Sequence, residues 1–277
     1  MSLAFALFTS DPNLLRCELL RLEEAVITSP PERFNAVGLG SYAQDQVLFQ
    51  RFRSAVDLKS LSGLWAGRES DALLYHACEL PLGMSPEENT QPFRYRQWMF
   101  CHVGAVSELS RVKEAVLAQL PKFLQRQIAG DTRGELIFAL FLKLLRDVGK
   151  MDDLSVESRL VAQLLGKTLR AIEQMSADAG SSTLGTVNCV ATNSSLLVAA
   201  RFGGEPLFYT LLEGSAHCER CGIDATTLEA LPVVRAHRRR RTIALASHPN
   251  RAANWIEIPS GTAIAIGRDL SLQQQPF

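Results

Sequence analysis

Apolar residues follow strand-like and helical patterns in turn along the first hundred residues. Residues 2–8 form an apolar run that ends at a Thr-Ser-Asp-Pro turn, and this run fits a buried strand or a short helix. Residues 14–25 carry a helical apolar stripe that ends before Pro30-Pro31. The segments with strand composition are 37–42, 46–50, 72–78 and 97–103. We expect the first two to form a hairpin and the last two to be neighbours.

The period changes to 3.6 residues after residue 107, which predicts three consecutive helices around 112–120, 135–145 and 156–175. Strand-like segments then return at 187–191, 196–201, 207–211, 242–246, 255–258 and 262–266. An order of strands, helices and strands indicates a layered α+β fold. We expect one domain over residues 1–270, followed by a polar tail at 271–277.

Composition and charge exclude several classes of protein. The 277 residues are 47% hydrophobic, and 29 Lys and Arg balance 29 Asp and Glu. Without net charge there is no general attraction to nucleic acid or to anionic membranes, so nucleic acid is not an expected partner. No apolar run approaches the roughly 20 residues of a spanning helix. Six cysteines with little regular spacing argue against a disulfide framework, so we expect a cytoplasmic protein.

Several short segments occur in an order that is informative as a set. They are Ser2, residues 35–42, 73–78, 88–93, 100–104, 130–135, 188–193 and 246–249, and Trp255. In this order they resemble the class II glutamine amidotransferases over nearly the whole chain. The resemblance implies a four-layer αββα N-terminal-nucleophile sandwich, with two antiparallel sheets between helical layers. It also places Ser2 where the family has its nucleophilic cysteine. After removal of Met1, a hydroxyl and a free amine would stand together there.

The positions that handle glutamine in that family carry different residues here. His76-Ala77-Cys78 stands for the family's His-x-Arg, whose arginine clamps the substrate carboxylate, and a thiol cannot make that bidentate pair. His102-Val103-Gly104 stands for His-Asn-Gly, so Val103 lacks the oxyanion-hole donor while Gly104 retains its amide.

The segment implied to bind the substrate ammonium also departs from the family. Residues 130–135 read Gly-Asp-Thr-Arg-Gly-Glu in place of Gly-x-Thr-Asp-Ser-Glu, so Arg133 and Gly134 replace an aspartate and a serine. His76 and His102 lie near this implied pocket, as core histidines or as a general base. The family's hairpin motif, Asp-Gly-Trp-Gly, is also changed here, because residues 35–38 read Asn-Ala-Val-Gly.

Two functions therefore stay open. In the first, the fold is kept as a non-catalytic scaffold or regulatory protein that binds another protein or an active relative. In the second, Ser2 attacks a non-glutamine amide whose anionic group meets Arg133. No cofactor is expected, and a homo-oligomer and a small anionic ligand remain open.

Two further motifs have several interpretations. Cys218 and Cys221 form a Cys-x-x-Cys without a second pair, so free thiols are expected and no metal is assigned. Half a zinc site and a redox pair are the alternatives, with His237 or His248 unconstrained as further ligands. The basic run at 235–241 is expected to be a solvated strand end or a partner-facing patch.

Overall fold

The computed structural model describes residues 2–22, 34–44, 46–52, 69–104, 109–130, 132–180, 185–250 and 254–277. The first sheet contains β1 (Ser2–Thr9), β2 (Ala36–Ala43), β3 (Gln46–Phe52), β4 (Ala72–Cys78), β9 (Phe208–Leu212), β10 (Thr242–Ala246) and β11 (Ile256–Glu257). The second contains β5 (Phe93–Tyr95), β6 (Trp98–Val103), β7 (Val187–Thr192), β8 (Leu197–Phe202), β12 (Thr262–Ile266) and β13 (Leu272–Pro276).

Every described strand pairing is antiparallel. The first sheet has the order β11-β9-β10-β1-β4-β2-β3, and the second has the order β13-β12-β8-β7-β6-β5. The described helices are α1 (Leu15–Arg21), α2 (Pro86–Asn89), α3 (Leu109–Gln119), α4 (Lys122–Gln125), α5 (Arg133–Asp147), α6 (Ser158–Asp178) and α7 (Pro232–Arg239). Short 3₁₀ turns cover Pro12–Leu14 and Glu219–Cys221.

The two sheets pack face to face, and helices cover their outer faces. Along β1, Ala4, Ala6 and Phe8 point between the sheets. The alternate residues Phe5 and Leu7 belong to the cluster that includes α1. Because both faces of β1 are buried, its sequence is a continuous apolar run rather than an alternation. The α+β expectation and the αββα layering are confirmed.

The outer face of the second sheet packs against α3, α5 and α6 in the largest apolar cluster. Phe100 on β6 stacks on Phe138 of α5 with ring centroids 5.1 Å apart, and Trp98 meets Phe141 edge-on at 5.6 Å. Such aromatic pairs add about 0.5–1.5 kcal/mol each beyond their burial. This packing fixes α5 against β6, and the start of α5 borders the site described below.

Three expectations from the sequence differ from the structure. The strands at 72–78 and 97–103 are β4 and β6, which lie in different sheets that face each other rather than side by side. The expected polar tail contains β13, because its backbone pairs with β12 from Leu272 to Pro276. The basic run at 235–241 begins inside α7, and Arg240 is 2% exposed, so that residue is not solvated.

Candidate functional site

Ser2 begins β1 at one end of the sandwich. Its Cα faces that of Cys78 across the β1–β4 pairing, so the two residues are direct neighbours. The backbone N–H of Gly104, just beyond β6, points to Ser2 Oγ with an N···O distance of 3.5 Å. Gly104 has φ = +116°, and a Cβ there would lie 2.2 Å from the carbonyl oxygen of Thr186. Only glycine fits, and its amide is thereby aimed at the serine.

Two histidines from facing sheets meet beside Ser2. Burial, and then the neighbouring His102, lower the pKa of His76 to about 3. Burial, and then the positive charge of Arg133, lower the pKa of His102 to about 4. Both rings are therefore neutral at pH 7. Neither ring nitrogen of His76, which is 1% exposed, has a hydrogen-bond partner among the described residues.

Gln91 fixes the position of His102. The backbone N–H of His102 donates to Gln91 Oε1 at 2.7 Å, which leaves the amide nitrogen of Gln91 3.2 Å from His102 Nδ1. Because an amide nitrogen donates, Nδ1 accepts and the neutral ring carries its proton on Nε2. Gly134 leaves room for this ring, since a Cβ there would lie 2.6 Å from Nδ1.

Cys78 and Val103 occupy different surroundings. Cys78 borders the cleft, where burial raises the pKa of its thiol to about 11, so the side chain is uncharged at pH 7. Val103 is 2% exposed and belongs to the apolar cluster between the sheets. Its side chain supplies no hydrogen-bond donor to Ser2.

The loop before α5 brings a positive charge to the same place. The Glu135 carboxylate accepts hydrogen bonds from the N–H groups of Ala129 and Gly130 at 3.1 and 3.0 Å. This clamp holds the loop at the start of the helix, where Arg133 is exposed. The buried hydroxyl of Thr132, the N-cap residue, has no described partner.

These groups line one cleft of about 370 Å³. Its lining includes Ser2, His76, Cys78, His102, Gly104 and Arg133 from the sequence-based candidates, together with Glu79, Leu80, Pro81, Met84, Asn89, Gln91 and Thr132. Val103 and Gly134 are not on the lining. Two larger depressions, of about 420 and 580 Å³, contain none of the candidate residues.

Sequence reasoning gave no role to several residues that shape the cleft. Asn35 holds Leu80 through two hydrogen bonds, from the Leu80 N–H to Oδ1 at 2.8 Å and from Nδ2 to the Leu80 carbonyl at 3.3 Å. Gln91 and Thr132 lie within segments 88–93 and 130–135, which carry the family resemblance, and this location is the signal that could have identified them.

No described helix is long and apolar enough to cross a membrane.

Comparison with known proteins identifies the fold. No family model matches the chain. It is 24% identical over 238 residues to the probable glutamine amidotransferase DUG3 of Saccharomyces cerevisiae, covering 81% of this chain. The match covers 65% of the yeast protein, so the chain spans less than two thirds of that relative.

Solved structures of glutamine amidotransferase-related proteins match nearly the whole chain in fold. A class II glutamine aminotransferase domain protein from Silicibacter pomeroyi has a TM-score of 0.60 at 16% identity, with 99% of both chains covered. The glutamine phosphoribosylpyrophosphate amidotransferase of B. subtilis has a TM-score of 0.53 at 12% identity, with 99% of this chain and 49% of that chain covered. In sequence the chain is thus similar to a probable glutamine amidotransferase, and it has the N-terminal-nucleophile fold of the class II glutamine amidotransferases.

Proposed function

We propose that this protein does not hydrolyse glutamine and acts as a non-catalytic scaffold or regulatory protein. The observation that carries the proposal is the exchange of charge around the cleft. The family's carboxylate-binding arginine is replaced by Cys78, whose thiol is neutral because its pKa is raised. A bidentate, charge-assisted pair with a substrate carboxylate cannot form there.

Arg133 makes glutamine binding worse. The resemblance assigns its position to the group that receives the substrate ammonium, and Arg133 borders the cleft with a positive charge. Two like charges about 4 Å apart repel by about 1 kcal/mol in water and about 4 kcal/mol near a protein surface. Since Arg133 is exposed, the lower part of that range applies.

Val103 removes one of the two oxyanion donors that the resemblance implies. The Gly104 amide remains, 3.5 Å from Ser2 Oγ. Loss of one such donor costs roughly 10²- to 10³-fold in rate. The three differences from the family weaken binding of the substrate carboxylate at Cys78, binding of its ammonium at Arg133, and stabilisation of the transition state at Val103. Together they support loss of glutaminase activity. The partner in a scaffold role would be another protein, an active relative or a second copy.

Restoring the family's groups tests this proposal. The wild-type chain should release no glutamate from glutamine above the enzyme-free rate. The combined variant Ser2→Cys, Cys78→Arg, Val103→Asn and Arg133→Asp should gain activity, because it restores nucleophile, anchor, donor and ammonium site. Glutamine hydrolysis by the wild type that disappears in Ser2→Ala would overturn the proposal. Cys101→Ser, which changes a buried thiol outside the cleft, is the matched control.

A second candidate is favoured by the retained Ser2–Gly104 geometry and by unpartnered polar groups beside Arg133. Here the cleft takes an amide that carries an anionic group. Arg133 would bind the anion, and the buried polar atoms of His76 and Thr132 would face the ligand. This candidate requires removal of Met1, which frees the amine of Ser2.

The chemistry would be acyl transfer to serine. Ser2 Oγ attacks the amide carbon while its proton passes to the α-amino group and then to the leaving amine. The C–N bond breaks, and the Gly104 N–H stabilises the oxyanion. Water then cleaves the resulting ester, which returns the proton to Ser2 and releases the acid.

Intact mass after incubation with a glutamine-analogue electrophile and activated amides tests the second candidate. A mass that lacks Met1 and a Ser2-dependent adduct would support it and overturn the non-catalytic proposal. Retained Met1, or no adduct with any probe, would overturn the second candidate. Arg133→Ala should weaken turnover of anionic amides, and unchanged turnover would remove the anion role.

A further inference from the structure

Three cysteines and one histidine converge outside the cleft, where α1 meets the segment between β9 and β10. The sulfur atoms of Cys17, Cys218 and Cys221 and a ring nitrogen of His237 all lie within 4.8 Å of one another. We propose that these four residues bind a structural Zn²⁺ ion. Three thiolates and one imidazole are a common ligand set of tetrahedral structural zinc sites.

The Cys-x-x-Cys segment has a turn that places two ligands together. The Cys218 N–H donates to the Ile223 carbonyl at 2.8 Å, and the Ile223 N–H donates back at 3.0 Å. Between them, Glu219–Cys221 form a 3₁₀ turn, and Gly222 has φ = +64°. A glycine adopts this left-handed conformation without strain. The turn therefore holds both thiols next to each other before any metal binds.

Cys17 supplies a third sulfur from α1. Its Sγ lies 3.7 Å from the Sγ of Cys221. With Zn–S bonds of about 2.3 Å, two sulfurs on a tetrahedral zinc are about 3.8 Å apart. A disulfide needs about 2.05 Å. The separation thus fits shared coordination of a metal rather than a covalent bond.

His237 is oriented as a ligand by its second nitrogen. Nδ1 lies 2.8 Å from the Val233 carbonyl, one turn earlier on α7. A carbonyl only accepts, so Nδ1 carries the proton and Nε2 keeps its lone pair, as in histidines that bind metals. Nε2 is buried with no hydrogen-bond partner among the described residues, and the residue is 0% exposed. A metal ion would satisfy this atom.

The surroundings suit a closed site. Zn²⁺ with three thiolates carries a net charge of −1, and Arg220 Nη1 lies 3.5 Å from Cys17 Sγ to balance it. Leu14, Ile223 and Val234 pack around the sulfurs in a small apolar cluster. Four protein ligands leave no position for substrate, so the ion would be structural. It would tie α1 to the connection between β9 and β10.

Metal content of the full chain, purified without a polyhistidine tag or chelators, tests the proposal. We expect about one zinc per chain, and roughly tenfold less in Cys218→Ser/Cys221→Ser and in Cys17→Ser. Cys101→Ala is the matched control, since Cys101 is a buried thiol between the sheets and should leave the zinc content unchanged. Chelation should lower the melting temperature of the wild type but not that of the double variant.

Cobalt keeps the test independent of how the variants fold. Reduced, metal-free wild type titrated with Co²⁺ should develop sulfur-to-cobalt charge transfer and the intense visible bands of a tetrahedral centre, saturating at one ion per chain. No zinc and no such spectrum would overturn the proposal. A Cys17–Cys221 disulfide in non-reducing mass analysis would also overturn it, in favour of a redox pair. Zinc retained by the double variant would place the metal elsewhere.

Discussion

A buried ion pair joins α1 to the residue that follows α7. Arg240 Nε lies 2.5 Å from Glu18 Oε1, and the two side chains are 2% and 0% exposed. Burial raises the pKa of Glu18 by more than Arg240 and Arg21 lower it. The carboxylate therefore depends on its partner to remain charged in the folded protein.

Arg240→Met removes that partner while keeping an apolar stem of similar length. Breaking a buried ion pair costs about 3–5 kcal/mol, and the lower figure applies here because Arg21 Nη1 remains 3.9 Å from Glu18 Oε2. That loss corresponds to a fall in melting temperature of roughly 6–12 °C for a chain of this size. Glu18→Leu in the same chain removes the charge as well, and should recover most of the loss.

The loss should also depend on pH. In Arg240→Met the Glu18 carboxyl binds its proton more tightly in the folded state than in the unfolded chain. Its contribution to stability is then present below the unfolded pKa and is lost as pH rises through the raised folded value. The deficit should be smallest near pH 5 and largest near pH 8.

Thermal unfolding of the wild type and both variants, followed by circular dichroism at pH 5 and pH 8, measures this. A deficit equal at both pH values would refute the electrostatic explanation. So would an Arg240→Met protein within about 0.5 kcal/mol of wild type.

Two further substitutions test the packing and electrostatics of the cleft. Gly38→Ala would place a Cβ 2.1 Å from the Gln91 carbonyl oxygen, so it should cost at least about 1–3 kcal/mol in urea unfolding, whereas Gly204→Ala, with no atom nearer than 4.0 Å, should change stability by less than about 0.5 kcal/mol. Equal effects would mean that Gln91 moves aside freely. Because the pKa of His76 is lowered in the folded state, the unfolded chain binds more protons below about pH 6.5, and stability should fall on acidification from there toward pH 3. His76→Gln should flatten that slope in melting temperature against pH, and an unchanged slope would contradict the pKa.

Local pattern and resemblance predicted different parts of the structure. The apolar periods located the main helices and strands because each period reports which face of an element is buried. They could not assign β4 and β6 to separate sheets, since strand pairing depends on residues far apart in sequence. Resemblance identified Ser2, His76, Cys78, His102, Gly104 and Arg133, which line one cleft. Their roles in it remain predictions.

Long-range contacts also explain what the sequence could not reveal about the four metal-ligand candidates. Cys218 and Cys221 were visible as a pair, but Cys17 lies about two hundred residues earlier and joins them only when α1 docks. His237 was, with His248, one of two histidines that the sequence left unconstrained as further ligands, and only the fold selects between them. Nothing in local spacing distinguishes Arg240, buried on Glu18, from its solvated neighbours.

The central place of β1 has a consequence for biosynthesis. Its hydrogen bonds to β4 can form once residue 78 has been synthesised. Its other edge stays unpaired until β10 has been synthesised, and just after β10 the Ser247 hydroxyl accepts a hydrogen bond from the Ala4 N–H, 243 positions earlier in the chain. Contacts of such separation form slowly, and an unpaired edge invites aggregation in the meantime. Chains that terminate before residue 242 should therefore accumulate in inclusion bodies, with Ser2 at the start of an incompletely paired strand.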